Sequence, residues 1–288
     1  MKNIIFFTIA SLSIFCAGCD KPEQVPAYIS VQSFALNTDA SEGANSTKIL
    51  DVWAYSNDVF LGAYTLPAEI PVLSEGDTKI TLFAGIRNNG SNATPTEYFH
   101  YLPFTVTKKL TVGKTEVINP VTTYDKNLTF RWIEDFESNS NTFNKNVDQF
   151  DSTSVNVTAL DVKYGQKCAL LKVDKKYPVM AVTTQTPFDK MPTNSRVYLE
   201  MDYKCDVPIV VEFYGLNPSS NQKLLDAVTF KEKSEWNKVY INFTKNITNN
   251  YAAYSYVVTA FLPSDAAGQF TKDKGEARVD NLKLIYPK

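Results

Sequence analysis

The chain is poor in the side chains on which many active sites depend. Its 288 residues include one histidine, His100, and four cysteines. A serine or cysteine hydrolase needs a base positioned beside its nucleophile, and a single histidine leaves little choice of base. A glycine-rich phosphate loop is also missing from the sequence. The sequence therefore predicts a protein that is not an enzyme.

Excess charge and a long apolar run are missing as well. The formal net charge is −2, which gives no electrostatic reason to expect binding to nucleic acid or to an anionic membrane surface. The apolar run from Asn3 to Phe15 is shorter than the roughly 20 residues that span a bilayer. Helical periodicity is not sustained anywhere over a long segment. The apolar run is therefore predicted to be a processed signal rather than an anchor helix, and the rest of the chain is not expected to form a helical domain.

The leader carries the most specific motif in the chain. Lys2 precedes the apolar run, which ends in Ser-Ile-Phe-Cys-Ala-Gly-Cys-Asp at residues 13–20. This stretch resembles a bacterial lipoprotein signal, although Cys16 stands where that family usually has leucine. The resemblance implies that residues 1–18 are removed and that Cys19 is lipidated, so that the protein is held at a membrane by its N-terminal lipid. An ordinary secretory signal cleaved near Gly18 is the alternative.

Residues 19–26 are polar and contain two prolines, which predicts an extended linker rather than packed structure. Acidic residues directly after the lipidated cysteine resemble the export tag of some Gram-negative lipoproteins. The resemblance implies an outer-membrane protein exposed at the cell surface. A protein that faces the periplasm through a plain linker is the alternative.

The rest of the chain has a strand-forming composition, with 13% aromatic residues and many valines and threonines. Residues 27–34 alternate in the manner of a half-buried strand, and strand patterns at 48–55 and 59–64 flank a polar turn, which predicts a hairpin. We predict a small β-sandwich over residues 27–122. The run from Trp53 to Gly85 resembles a PEGA-type, immunoglobulin-like module, which implies a structural spacer.

A dense aromatic cluster follows at residues 98–104, Tyr-Phe-His-Tyr-Leu-Pro-Phe. Aromatic faces can stack on sugar rings, so the cluster could form a ligand patch. The interpretation that we favour is an edge strand that covers its own core. His100 is then a packed or surface histidine.

Short strand patterns separated by turn signals continue over residues 128–288 and predict a second sandwich. An opening Phe-Glu at 136–137, a glycine turn feeding a strand at 163–173, alternating strands at 197–204 and 235–243, and a closing Val-Asp-Asn-Leu at 279–282 occur in that order. This order resembles the galactose-binding-type jelly roll of carbohydrate-binding modules. The complete prediction is an all-β protein, with a small N-terminal β-sandwich followed by a C-terminal jelly-roll β-sandwich.

The resemblance also implies a structural calcium ion near the strand ends. In many such jelly rolls the opening glutamate and the closing aspartate lie together, and Glu137 and Asp280 occupy these positions. Calcium prefers six to eight oxygen ligands, which backbone carbonyls of residues 163–165 could complete. The alternative is that both carboxylates are solvated strand ends.

Two cysteines, Cys168 and Cys205, remain after the leader. In an oxidising compartment they could form one disulfide, but sequence does not place their Cα atoms within bridging distance. The sequence therefore does not decide whether the disulfide forms.

Glu200 and Asp202 share one face of a predicted strand. They resemble the acidic strand of jelly-roll glycosidases, but the positions that follow, Lys204 to Asp206, misplace the second carboxylate. We therefore predict that both residues lie on the solvent face of their strand.

These observations lead to a surface lipoprotein whose jelly roll binds a glycan through exposed aromatic rings. The candidate rings are Tyr177, Tyr214, Tyr251 and Tyr254, whereas Trp236 is expected in the core. The alternative is a structural or accessory subunit of an outer-membrane complex that docks a partner protein on the same surfaces. A glycoside-active enzyme is a third possibility.

Overall fold

The computed structural model describes residues 23–138, 141–150, 153–217 and 220–288. The leader and Cys19 lie outside these residues, so cleavage and lipidation stay predictions. Within the described ranges, no helix has the length and apolar character needed to cross a membrane.

The first ten strands form the N-terminal sandwich. They are β1 (Ala27–Val31), β2 (Ala35–Asn37), β3 (Asp51–Ser56), β4 (Val59–Thr65), β5 (Ala68–Val72), β6 (Gly76–Arg87), β7 (Pro95–Glu97), β8 (Phe104–Leu110), β9 (Thr115–Ile118) and β10 (Val121–Thr123). A 3₁₀ turn, Ala40–Glu42, follows β2. One sheet has the order β5-β1-β9, a second has the order β4-β3-β6-β7 with β8 also on β6, and β2 pairs with β10.

The hairpin of β3 and β4 forms where the sequence predicts it. Asn57 and Asp58 at its tip have φ angles of 47° and 66°, and both residue types tolerate this left-handed region. The pairing Ser56↔Val59 closes the hairpin around these two residues.

Twelve further strands form the C-terminal sandwich. They are β11 (Leu128–Glu134), β12 (Lys145–Asn146), β13 (Asn156–Thr158), β14 (Cys168–Asp174), β15 (Val179–Thr183), β16 (Phe188–Asp189), β17 (Tyr198–Cys205), β18 (Ile209–Asn217), β19 (Ser220–Phe230), β20 (Lys233–Asn242), β21 (Ala253–Phe261) and β22 (Lys274–Pro287). A second 3₁₀ turn, Thr244–Asn246, follows β20.

These strands make two six-stranded sheets. The junction sheet has the order β13-β14-β22-β17-β20, with β11 also on β22, and the outer sheet has the order β12-β15-β21-β18-β19, with β16 also on β21. Their facing sides enclose one apolar core. The predicted all-β architecture of two successive sandwiches is confirmed.

The outer face of the junction sheet contributes to the core of the N-terminal sandwich. Tyr198, Tyr240 and Ile285 belong to the same buried cluster as Ile29 and Ile80 of the first sandwich, and Phe130 packs against that cluster. Every residue of β17 except Lys204 is buried, because the strand is covered on both faces. The two sandwiches therefore share a packed boundary.

Two β-bulges decide which side chains face that boundary. The pairing of β11 with β22 skips Arg131, so Phe130 faces the N-terminal sandwich whereas Trp132 faces the jelly-roll core. A second irregularity lies opposite Met201, at Asn281, whose φ angle is 48°. It leaves Val279 and Leu282 in the core with two residues between them.

Candidate functional site

The outer face of the junction sheet holds a buried charged cluster. Glu200, Asp202, Asp280 and Lys283 are fully buried, and Lys238 is 4% exposed. The prediction that Glu200 and Asp202 lie on a solvent face is therefore wrong. Alternation along β17 does place both carboxylates on the face opposite Leu199 and Met201, but the N-terminal sandwich covers that face.

Glu200 is the centre of this charged cluster. Its carboxylate accepts hydrogen bonds from the hydroxyls of Tyr98 (2.7 Å) and Tyr124 (2.9 Å), and it lies 2.8 Å from Nζ of Lys238. Burial alone would raise the pKa of Glu200, but the charges of Lys238 and Lys283 hold that pKa below its ordinary value. Glu200 is thus an ionised anchor between the two sandwiches.

The other charged groups of the cluster reach loops of the N-terminal sandwich. Ser46 donates a hydrogen bond of 2.8 Å to Asp202, and Nζ of Lys283 donates one of 2.6 Å to the carbonyl oxygen of Ala44. Burial lowers the pKa of Lys283 to about 8, and burial raises the pKa of Asp280 to about 7. These contacts fix the loop at residues 44–46 against the jelly roll.

The aromatic cluster predicted at residues 98–104 covers this charged face. Tyr98 packs edge-to-face on Tyr198 and Tyr240 of the jelly roll, with ring centroids 5.1 and 4.9 Å apart. Tyr98 belongs to the core of its own sandwich, as expected, but it lies between strands β7 and β8 and also seals the boundary with the jelly roll. Because the face is sealed, a sugar chain cannot lie along this side of the junction sheet.

His100 is a packed histidine, one of the two roles predicted for it. Its Nδ1 lies 3.2 Å from the hydroxyl of Tyr98, and its Nε2 lies 3.1 Å from the carbonyl oxygen of Arg196. Burial lowers the pKa of His100 to about 4, so the imidazole is neutral near pH 7.

The four candidate tyrosines do not form one platform. Tyr254 is 2% exposed and stacks on Phe213 at 5.4 Å, so the prediction of an exposed ring there is wrong. Its hydroxyl donates to the carbonyl oxygen of Thr248, because a buried phenol needs a partner. Tyr251 lies edge-on to Tyr254, and its ring covers Gly215 so closely that a Cβ there would be 2.4 Å from it.

Tyr177 and Tyr214 are half-buried at separate places. Tyr177 packs edge-to-face on Phe150 at 5.6 Å, whereas the Tyr214 hydroxyl donates to Glu212 on the outer face of the outer sheet. Trp236 is half-buried on β20, on the face opposite Val239, which lies in the jelly-roll core. The expectation that Trp236 packs in that core is therefore wrong.

Glu137 and Asp280 contact the same turn from different sides. Glu137 is exposed and accepts hydrogen bonds from the backbone N–H groups of Gln166 (2.7 Å) and Lys167 (2.8 Å). Asp280 is buried and accepts from the N–H groups of Tyr164 and Asn281. Both carboxylates thus face donors rather than a shared space with carbonyl oxygens.

In the part of the chain that the structure describes, no group of three or more His, Cys, Asp or Glu side chains could hold a metal ion. The calcium site that the resemblance implies has only two carboxylates, and each of them accepts hydrogen bonds from backbone N–H groups. Structural calcium stays a prediction without support from this geometry.

Cys168 and Cys205 are free and buried, so the disulfide that the sequence allowed is absent. Cys205 faces the jelly-roll core, whereas Cys168 lies on the other face of the junction sheet, next in sequence to the core residue Ala169. Their strands, β14 and β17, are separated by β22. Two strand spacings are about 10 Å, which is beyond the Cα separation of a disulfide.

An open cleft lies between β11 and β16, where the two jelly-roll sheets meet. Its volume is about 570 Å³, within the range of ligand sites. We call it the Trp132 cleft, and its lining comprises Arg131, Trp132, Thr142, Thr184, Thr186, Pro187, Phe188, Asp189 and Ala253. It is an aromatic floor bordered by hydroxyl and charged groups.

The polar groups of the Trp132 cleft are held in place by one another. Nη2 of Arg131 lies 2.9 Å from the Asp189 carboxylate, and both side chains are exposed. Nε1 of Trp132 donates a hydrogen bond of 2.8 Å to Oγ1 of Thr142, which in turn donates to the buried carboxylate of Glu134. The Trp132 ring packs on Phe143, Phe188 and Tyr256, with centroids about 6 Å away.

This arrangement suits recognition of a polyhydroxylated ligand. A guanidinium and a carboxylate can donate to and accept from hydroxyl groups in fixed directions. An aromatic surface suits the apolar face of a sugar ring. The sequence does not reveal these residues, because Arg131 and Trp132 have the pattern of an ordinary strand. Only the structure shows that Arg131 is the extra residue of a bulge, so that its side chain and that of Trp132 both reach the cleft.

Comparison with known proteins identifies no family. No family model matches the chain, and no curated protein is significantly similar to it in sequence.

Several of the solved structures to which the chain is similar are carbohydrate-binding modules, and one is an arabinofuranosidase. A family 16 module is 14% identical over 46% of this chain and 86% of its own, with a TM-score of 0.34. The C-terminal family 22 module of Clostridium thermocellum Xyn10B is 12% identical over 56% and 94%, with a TM-score of 0.39. A structure described among carbohydrate-binding modules of the β-sandwich superfamily is 11% identical over 91% and 99%, with a TM-score of 0.41.

Proposed function

We propose that the chain is a non-catalytic, lipid-anchored protein of the bacterial cell surface that binds glycan in the Trp132 cleft. The observation that carries this proposal is the combination of an aromatic floor with the exposed pair Arg131–Asp189 at the cleft mouth. The face of the junction sheet that carries Glu200 and Asp202 is covered by the N-terminal sandwich, so it offers no room for a substrate.

Binding is tested with residues 20–288 on an array of neutral and acidic oligosaccharides, followed by calorimetric titration of the best ligand. Arg131→Ala and Asp189→Ala each remove one hydrogen-bonding group from the cleft while leaving the backbone intact. We expect each to weaken binding at least tenfold with little change in melting temperature, because exposed ion pairs contribute little to stability.

The matched control is Lys175→Ala, which removes the exposed pair with Asp273, a pair of the same kind outside the cleft. It should bind as the unmodified protein does. Loss of binding in Lys175→Ala, or unchanged binding in both cleft variants, would place the ligand elsewhere. Absence of any glycan binding at millimolar concentration, together with one stoichiometric partner recovered from membranes, would instead favour an accessory subunit of a complex.

Anchoring is tested separately. We expect the expressed protein to partition into detergent and Cys19→Ser to remain in the aqueous phase, because two or more acyl chains hold a protein firmly at a membrane and the variant lacks the thiol that carries lipid. Digestion of intact cells by added protease then distinguishes the cell surface from the periplasm.

A further inference from the structure

Five apolar side chains are exposed together at one end of the N-terminal sandwich. Val59 and Phe60 at the β3–β4 hairpin are 66% and 52% exposed, Leu73 after β5 is 65% exposed, and Val25 and Val112 are 61% and 43% exposed. Two adjoining surface depressions connect them, since Leu73, Ser74 and Gln24 line both. We call these five side chains the apolar foot.

The apolar foot lies where the described chain begins. Gln24 and Val25 line its depressions, and the carbonyl oxygen of Pro26 accepts a hydrogen bond of 2.9 Å from the N–H of Gly113, next to Val112. Only three residues lie between Cys19 and Glu23, and the four Cα-to-Cα steps that join them reach at most about 14 Å. A lipid on Cys19 therefore keeps the apolar foot close to the membrane.

The opposite end of the same sandwich carries the jelly roll. Gly76 at the start of β6 pairs with Leu110 near the apolar foot, whereas Arg87 at the other end precedes Asn88 and Asn89, which bond to the jelly roll. Twelve residues of a strand extend about 40 Å. The apolar foot and the jelly roll are thus held apart by the length of the sandwich.

From this placement we infer that the apolar foot rests in the lipid bilayer surface and holds the N-terminal sandwich upright as a spacer beneath the jelly roll. Apolar side chains at loop tips next to a lipid tether move from water into the boundary of the acyl region, as the apolar faces of amphipathic helices do. Among the residues that the structure describes, no lysine or arginine lines the two depressions, and their one charged lining residue is Glu75. Contact is therefore apolar and does not depend on anionic lipid. The inference rests on the proposed tether at Cys19.

The experiment uses an artificial tether so that it does not depend on lipidation. Residues 20–288 with an N-terminal hexahistidine segment are bound to phosphatidylcholine vesicles that contain nickel-chelating lipid and nitroxide-labelled lipid. A bimane fluorophore is attached at Leu73→Cys, or at Leu160→Cys as the control, because Leu160 is a leucine of the jelly roll that is exposed to a similar extent. The native thiols are buried and react slowly.

We expect at least threefold stronger nitroxide quenching at position 73 than at position 160, unchanged between low and high salt. The double variant Val59→Ser/Phe60→Ser should reduce the quenching at position 73 by half or more. Phe270→Ser, which alters an exposed phenylalanine of the jelly roll, should leave it unchanged.

Equal quenching at both positions, or no effect of the double variant, would overturn the membrane contact. Sedimentation that shows a dimer through the apolar foot, lost in the double variant, would also overturn it. If the native protein fails to partition into detergent, lipidation at Cys19 is refuted. That outcome does not bear on the apolar foot, because the artificial tether tests the foot without lipidation.

Discussion

Glu200 is the residue on which the boundary between the sandwiches depends most. It is fully buried and receives two tyrosine hydroxyls and one lysine. A buried ion pair adds little net stability over an apolar pair of similar shape. Removal of one partner, however, leaves the other charge buried without a counter-charge, which is strongly destabilising. The carboxylate therefore specifies how the sandwiches meet.

We predict that Glu200→Gln lowers the free energy of unfolding by about 3–5 kcal/mol, because Lys238 would keep its charge without a buried counter-charge. Urea denaturation measures this change. Glu276→Gln is the control, since Glu276 pairs with Lys172 and Arg278 at a partly exposed site and should cost at most about 1 kcal/mol. The double variant Glu200→Gln/Lys238→Met should recover part of the loss. Equal stability of the two single variants would contradict the role of Glu200.

Asp280 makes stability depend on pH. Burial raises its pKa from 3.8 to about 7, so between these values the folded protein keeps a proton that the unfolded chain has lost. The contribution of Asp280 to the free energy of unfolding is therefore complete below about pH 4, and it is lost as the pH rises toward 7. His100 acts in the opposite direction, because its pKa falls from 6.5 to about 4 on burial.

We predict that Asp280→Asn gains stability relative to the unmodified protein as the pH rises from 4 to 7, by at most about 4 kcal/mol. Urea denaturation at pH 4.5, 5.5 and 7 measures the slope. His100→Gln should show the reverse trend relative to the unmodified protein. A stability difference for Asp280→Asn that does not vary with pH would refute the assignment.

At the scale of elements, the bulge at Arg131 lets one strand serve two cores. Phe130 opposite Ile285 packs toward the N-terminal sandwich, and Trp132 opposite Leu284 packs toward the jelly-roll core. In a regular strand residues 130 and 132 would share a face. The extra residue also turns the Arg131 side chain toward Asp189.

We predict that deletion of Arg131 is tolerated, with a loss of about 1 kcal/mol or less from an exposed ion pair, because Phe130 and Trp132 then become adjacent and keep opposite faces. Glycan binding in the Trp132 cleft should fall at least tenfold. Deletion of Ile133 is the contrasting variant, since it turns Glu134 away from the N–H groups of Phe136 and Thr142. It should lower the melting temperature strongly, and equal effects of both deletions on thermal melting would count against this account of the bulge.

For the whole molecule, the shared boundary makes the two sandwiches one cooperative unit. The cluster around Ile29 and Ile80 includes Tyr198, Tyr240 and Ile285 of the jelly roll. Separation of the sandwiches would expose these apolar side chains together with Glu200 and Lys238. Neither sandwich can therefore unfold without exposing the apolar side chains and the ion pair that the other sandwich covers.

We predict a single calorimetric unfolding transition, with the calorimetric enthalpy equal to the van't Hoff enthalpy. Residues 128–288 expressed alone should aggregate or melt at a clearly lower temperature, because the face that carries Tyr198 and Tyr240 loses its cover. Two separate transitions in the complete protein, or an isolated jelly roll as stable as the complete protein, would show that the boundary is weak.

Much of the fold follows from local patterns. Alternation over residues 27–34 and 197–204 and the turn residues Asn57 and Asp58 predict strands and a hairpin, and the structure contains them. Alternation also predicts that Glu200 and Asp202 share the face of β17 that points away from the jelly-roll core, but the sequence does not say what covers that face. Their burial depends on Tyr98 and Ser46, more than 100 residues away.

The sequence by itself determined the all-β class and the succession of two sandwiches, because side-chain alternation and turn chemistry act between residues close along the chain. Only the tertiary structure decided which faces meet solvent, since cover comes from distant segments. It buried Tyr254, kept Cys168 and Cys205 on opposite faces of a sheet, and opened the Trp132 cleft through one extra residue in β11. A single-residue bulge reverses the side-chain directions that follow it, and alternation alone does not reveal where it occurs.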